Sequence, residues 1–212
     1  MDHIGSGKEW DMSRKRGGLK LLPPFTGSGE YEGKTLGELW SEHSELFGDT
    51  DRLFPVIVSL LGPEDDLSIQ VHPDTEHAVP LGFPYGKNEC WYFLEAEPDA
   101  AIVFGHNATD EKDLRGYIDE GRWDDLIGHL PVKRDDFVYI PAGLLHACCK
   151  GTVVYEIQQS TNITYRFYDY DRVQADGSLR VTWGESNIFN IISSGDVVPR
   201  VLPAEWGFYR NG

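Results

Sequence analysis

Leu67-Ser68-Ile69-Gln70-Val71-His72 alternates apolar and polar side chains residue by residue. On an extended chain successive side chains point to opposite faces, so Leu67, Ile69 and Val71 share one face and Ser68, Gln70 and His72 the other. The stretch predicts a half-buried β-strand. On its N-terminal side, Phe54–Leu61 (FPVIVSLL) is a continuous apolar run, the pattern of a buried strand. On its C-terminal side, Glu89–Leu94, Ala101–Phe104, Phe137–Ile140, Val153–Gln158 and Thr164–Tyr168 read as further strands. The 23 glycines and 12 prolines are spread between these short runs, the punctuation of a β-rich chain. Helical signals are few. Thr35-Leu36-Gly37-Glu38 is a capping-box pattern, followed by an apolar stripe of Leu36, Leu39, Trp40 and Phe47 that ends at Gly48. Thr109 is placed to cap a second helix, with Leu114, Tyr117 and Ile118 on one face and Gly121 as its stop, and 123–130 adds a short turn before Pro131. Many short strands and two or three helices predict an all-β barrel or jelly roll with a few peripheral helices.

The chain has 212 residues, enough for a single sizeable core. Its 35 acidic against 19 basic residues give a net charge of −16, which disfavours nucleic acid and anionic membranes, since both call for a basic face. No apolar run reaches the length of a transmembrane helix, and MDHIGSGKEW lacks the basic and apolar regions of a signal peptide. Cys90, Cys148 and Cys149 are odd in number and two are adjacent, so no disulfide scaffold is expected; a reduced, cytoplasmic setting is.

Gln70 and His72 point the same way on their strand, and Lys87 and Glu89 are likewise two apart. His146 follows the Pro141-Ala142-Gly143 turn at the start of a strand; Glu156 and Gln158 share a face, as do Thr164 and Arg166. In a small barrel these faces converge on an interior that holds one ligand or metal among side chains. Two His, one Glu and one Gln are nitrogen and oxygen donors suited to a borderline divalent ion, zinc above all, with iron, manganese, cobalt or nickel also compatible. Each residue also has an ordinary reading. A histidine in a β-rich chain is commonly a satisfied or surface residue, and His3, His43, His77, His106 and His129 are read so. Lys87 reads equally as a solvated loop lysine, Glu156 as a buried carboxylate paired with Arg166, and Cys148 as a small buried hydrophobe. On spacing alone the metal site is permitted, not required.

Several ordered blocks resemble one family. Leu67–Asp74 (LSIQVHPD), Gly86–Tyr92 (GKNECWY), Phe137–Ala147 (FVYIPAGLLHA) and Val154–Arg172 (VYEIQQSTNITYRFYDYDR) resemble the signature of type I mannose-6-phosphate isomerases. Gly33–Trp40 (GKTLGELW) and Gly105–Ala108 (GHNA) fit that family's short bacterial branch, and Lys8–Ser13 is similar to its early Gly-Glu-x-Trp-x-x-Ser segment. The likeness runs from about Lys8 to Arg172. It implies a cupin fold, a small β-barrel of jelly-roll type, and Pro141-x-Gly143-x-x-His146 is similar to the second general cupin motif. The family's zinc ligands fall on Gln70, His72, Glu89 and His146, one Zn2+ per chain. Lys87 falls on a lysine discussed as a proton-transfer group, and Arg166 on an arginine beside the reacting carbons.

The resemblance also implies a layout and an activity. Residues 1–49 form an N-terminal segment with one helix, 50–172 the metal-binding barrel, and 173–212 a divergent tail or remnant of a second β-domain. Only nine residues precede Trp10, and Arg14–Phe25 departs from the family pattern, so the chain reads as shortened at its N-terminus and lacking most of the C-terminal domain. The implied reaction is interconversion of mannose 6-phosphate and fructose 6-phosphate by enediol proton transfer, with Lys87 or Glu156 as the base. The alternatives are a catalytically impaired cupin that binds metal or sugar, and a metal-dependent cupin oxygenase, which the Gln70 ligand and the YRFYDYDR block disfavour.

Overall fold

The computed structural model describes residues 20–21, 28–48, 54–173, 175–178, 192 and 201–202. The Lys8–Ser13 block, most of Arg14–Phe25 and most of the tail lie outside these residues. Among the described residues, eleven strands form two antiparallel sheets. One sheet contains β1 (Lys20–Leu21), β2 (Val56–Leu61), β4 (Glu89–Ala96), β7 (Phe137–Ile140), β9 (Thr152–Gln159) and β11 (Val201–Leu202), in the order β1-β2-β9-β4-β7-β11. The other contains β3 (Ile69–Val71), β5 (Ala101–His106), β6 (Ile127–Pro131), β8 (His146–Ala147) and β10 (Tyr165–Tyr168), in the order β10-β3-β8-β5-β6. This is the jelly-roll-type barrel expected from the alternating runs, of the cupin kind that the family resemblance implies, with the helices outside it.

Alternation sorts each strand between an inner and an outer face. In β9, Thr152, Val154, Glu156 and Gln158 are buried while the residues between them are only partly covered. Trp91, Phe93, Ile102, Phe104, Val138, Ile140 and Val154 fill the space between the sheets. Fully burying a side chain such as Phe93 contributes about 1.5–3 kcal/mol. A second apolar cluster lies on the outer face of the five-stranded sheet. There Ile69, Val71 and Phe167 meet Leu114 and Ile118 of α3 (Glu111–Asp119) and Leu126 of α4 (Trp123–Leu126). Val71 and His72 therefore face opposite sides of the same strand, one toward the helices and one into the barrel.

The helices follow their sequence signals with local differences. Both hydrogen bonds of the Thr35–Glu38 capping box form at α1 (Leu36–Glu42), but the chain then breaks at His43 and continues as a 3-10 turn, Ser44–Phe47. The apolar stripe still packs: Trp40 and Phe47 meet at a tilt, each edge-on to Phe54, which leads into β2. Asp110 rather than Thr109 caps α3, its carboxylate accepting from Asp113 N at 2.7 Å. The turn expected over 123–130 ends at Leu126, and Ile127–Pro131 becomes an edge strand paired with β5. Ladder pairing and burial of Ile127 outweigh local helical preference there, and Pro131 is tolerated because β6 is an edge.

Candidate metal centre

β3 and its end, the start of β4 and the start of β8 bring the polar residues together. Across the five-stranded sheet, Arg166 lies opposite Gln70, Gln70 opposite His146, and His146 opposite Phe104. Residues directly opposite in a sheet share a face, so Arg166, Gln70 and His146 form one row. Across the other sheet, Glu89 lies opposite Gln158, and Trp91 opposite Glu156. Two glycines make the junctions possible. Gly86 precedes Lys87 where the chain crosses the end of β3, and a Cβ there would sit 2.3 Å from the Asp74 carbonyl carbon. Gly143 takes a φ of 86° and donates its N–H to the His72 carbonyl at 2.8 Å, tying the turn before His146 to the end of β3. Asn88 locks the same corner, donating Nδ2–H to Gln159 Oε1 at 2.6 Å and accepting from Ala142 N at 2.9 Å.

His72, Glu89 and His146 are all buried, and each offers a ligand atom within 4.8 Å of the others. His72 Nε2 lies 3.1 Å from Glu89 Oε1, and His146 Nε2 lies 3.5 Å from Glu89 Oε2. The distal ring nitrogens are engaged with backbone: His72 Nδ1 with Ile163 O at 2.9 Å, and His146 Nδ1 with Leu144 O at 2.9 Å. A carbonyl only accepts, so each Nδ1 carries a proton; in the neutral ring this leaves Nε2 as the nitrogen whose lone pair points inward. Burial pushes the His146 imidazole down to about 4, which keeps it neutral. Glu89 is desolvated, yet its contact with His72 and the charge of Lys87 hold its carboxyl well below the usual carboxylate range. His72 Nε2 and both Glu89 oxygens are buried without a well-formed hydrogen bond. Buried polar atoms left in this way are costly unless something compensates them. Two imidazoles and a carboxylate converging on one point fit a divalent cation. Gln70 adds an amide 3.5 Å from His146 Nε2, and rotation of that amide brings its oxygen to the same position.

The remaining sequence-selected residues surround this group. Lys87 is buried, with Nζ 2.8 Å from Glu89 Oε1, so it is not a solvated loop lysine. Arg166 is exposed at the rim above Gln70. Glu156 does not pair with it, as its Oε1 accepts from Trp91 Nε1 at 3.1 Å. Burial, and then the charge of Glu89, push the Glu156 carboxyl up to about 7. Cys148 is buried against Thr152 and its thiol is pushed up to about 12 by desolvation, the behaviour of a small core residue. His77 pairs with Asp74 and His43 with Glu45, away from the centre. Trp91, within the Gly86–Tyr92 block, also faces this group. The signal was present, since Lys87, Glu89 and Trp91 are spaced by two and so share a face, but an aromatic residue in a strand reads first as core.

Residues 23–106 match the family model for the catalytic domain of type I phosphomannose isomerases, a stretch that holds Gln70, His72, Lys87 and Glu89. Among curated proteins, mannose-6-phosphate isomerase ManA of Bacillus subtilis is 42% identical over 178 residues, covering 82% of this chain and 55% of that protein. The mannose-6-phosphate isomerase of Streptococcus mutans is 40% identical over 184 residues, 86% of this chain and 57% of that protein. The crystal structure of the Bacillus subtilis mannose 6-phosphate isomerase superposes with a TM-score of 0.71 at 41% identity, over 81% of this chain and 55% of that one. A solved structure from Archaeoglobus fulgidus shares the fold at 18% identity, TM-score 0.59. The chain spans about half the length of the curated relatives it matches.

Proposed function

We propose that this chain, whose residues 23–106 belong to the type I phosphomannose isomerase catalytic domain, interconverts mannose 6-phosphate and fructose 6-phosphate with the help of one divalent ion, zinc by donor type. The observation that carries the reading is the convergence of buried ligand atoms of His72, Glu89 and His146 on one point, inside a barrel related to isomerases of that name. Gln70, His72, Glu89 and His146 are the residues assigned to hold the ion. When bound, it supplies Lewis-acid polarisation of the sugar oxygens without redox change. We assign the barrel to residues 50–172, flanked by an N-terminal segment over 1–49 and a tail over 173–212.

The chain's own groups divide the remaining work. Isomerisation takes a proton from C2 and returns it at C1 through an enediol. Glu156 on β9, with a carboxyl near neutrality, and Lys87, just before β4 and 2.8 Å from Glu89, lie beside the centre; Glu156 as the carboxylate, or Lys87 as the free amine, is suited to take that proton. Arg166, exposed opposite Gln70, brings fixed positive charge to the rim, where it opposes negative charge developing on oxygen. The phosphate is a dianionic handle on a protein of net charge −16, so recognition falls to such local cations. Among the described residues no helix is long and apolar enough to cross a membrane, and the free Cys90, Cys148 and Cys149 support a reducing, cytoplasmic setting.

Elemental analysis of the purified chain, combined with a coupled assay for fructose 6-phosphate formation, tests the proposal. Stoichiometric metal with turnover is expected. Metal without turnover replaces the isomerase by a metal- and sugar-binding module, and absence of both removes the site assignment.

A further inference from the structure

Trp91 connects two parts of the site. It is 1% exposed, its Nε1–H donates to Glu156 Oε1 at 3.1 Å, and its ring meets the His146 imidazole edge-on at 5.8 Å between centroids. Both contacts follow from register. Trp91 lies directly opposite Glu156 in the ladder and two residues beyond Glu89 on the inner face of β4. An indole has a single donor and no acceptor, so this proton is committed to Glu156 Oε1.

We propose that Trp91 is a positioning residue: its indole N–H fixes Glu156 Oε1, leaving Oε2 as the atom that exchanges a proton with the bound sugar, while its ring braces His146. The inference rests on the isomerase reading for its kinetic consequence, but not for the contact itself. The groups facing Glu156 are Ser59 from β2, Trp91 and Glu89 from β4, and Lys87 just before it. Of these, Glu89 raises the carboxyl, while Lys87, Trp91 and Ser59 lower it, so Trp91 is a lever on the ionised form. A hydrogen bond to a charged group is worth about a pKa unit or more. Removing the donor therefore favours protonated Glu156 and moves the acid limb of a Glu156-dependent rate upward.

The test uses the full chain loaded with zinc. The 15N-indole resonance of Trp91, identified by its loss in Trp91→Phe, is followed against pH in wild type and in Glu156→Gln. A titration in wild type that vanishes in Glu156→Gln is expected, since Gln keeps an acceptor but not an ionisation. Kinetically, Trp91→Phe retains ring packing and metal content; it is expected to lower kcat about tenfold with KM little changed, and to shift the acid limb up by about one pH unit. If Trp91→Phe fails to fold, the indole resonance is assigned by its proximity to His146 and the Glu156→Gln comparison still decides. A Trp91 signal that does not titrate, or one that titrates equally in Glu156→Gln, overturns the proposal. So does a folded Trp91→Phe with wild-type kcat and pH profile. An inactive wild-type chain with a Glu156-dependent indole titration instead rejects the isomerase reading and keeps the Trp91–Glu156 contact.

Discussion

His72 and His146 each give one ring nitrogen to a backbone carbonyl and turn the other inward, so their ligand form is set before any ion arrives. Neutral imidazole is the strongest uncharged donor in the set, and His72→Ala is expected to remove most of the bound metal, as elemental analysis reads directly. Unchanged metal content in that variant rejects the site. Arg166→Ala is expected to lower kcat by about 10² or more with metal content unchanged, the scale of losing a preorganised oxyanion donor. Lys87→Ala is expected to lower kcat by about 10²–10⁴ if its ammonium carries the proton. Thermal melts run beside the kinetics separate these losses from unfolding. Glu156 makes a prediction on stability. Its carboxyl sits at about 7 when folded and near the ordinary carboxylate value when unfolded, so over that range the folded state binds more protons. Stability of the metal-free chain should therefore fall as pH rises from about 4.5 to about 7 and level off above, with Glu156→Gln flattening this part of the slope. Equal slopes in the two proteins would show that Glu156 ionises freely in the fold.

At the level of elements, the site is made where strands begin and end. β3 ends beside His72, β4 opens on Glu89 and β8 on His146. The approach of the segment before β4 to the end of β3 leaves no room for a side chain at Gly86. Gly86→Ala is expected to push Lys87 and Glu89 away from His72, costing about 1–3 kcal/mol of stability by overpacking and weakening metal retention as well. Calorimetry with metal analysis checks both, and a stable, fully loaded Gly86→Ala protein would show that the two segments can separate freely. Strands β2, β3, β4, β7 and β9 were legible because their alternating or continuous apolar patterns report burial directly. β6 was not: Ile127–Pro131 borders a helical turn and carries too short a pattern to choose a period, and only pairing with β5 makes it a strand.

For the whole molecule, His72 and His146 come from one sheet and Glu89 from the other, so a bound ion ties the two layers together. With free metal about a thousandfold above Kd, that link contributes about 4 kcal/mol, or about 8–16 °C in Tm for a chain of this size. Chelation is expected to lower the Tm by that order and zinc to restore it; an indifferent melt would mean that no ion bridges the sheets. The sequence by itself determined the class of fold, the inward-facing pairs Gln70/His72 and Lys87/Glu89, and, through family resemblance, which residues to examine. These are local properties: side-chain direction alternates along any strand, and a motif is a run of neighbours. Tertiary structure decided which pairs meet. Glu156 is held by Trp91 and not by Arg166, Arg166 stands exposed at the rim opposite Gln70, and Lys87 is drawn into contact with Glu89. Those partners lie on different strands, and register between strands, together with the burial it imposes, is a property of the folded sheet that no single stretch of chain contains.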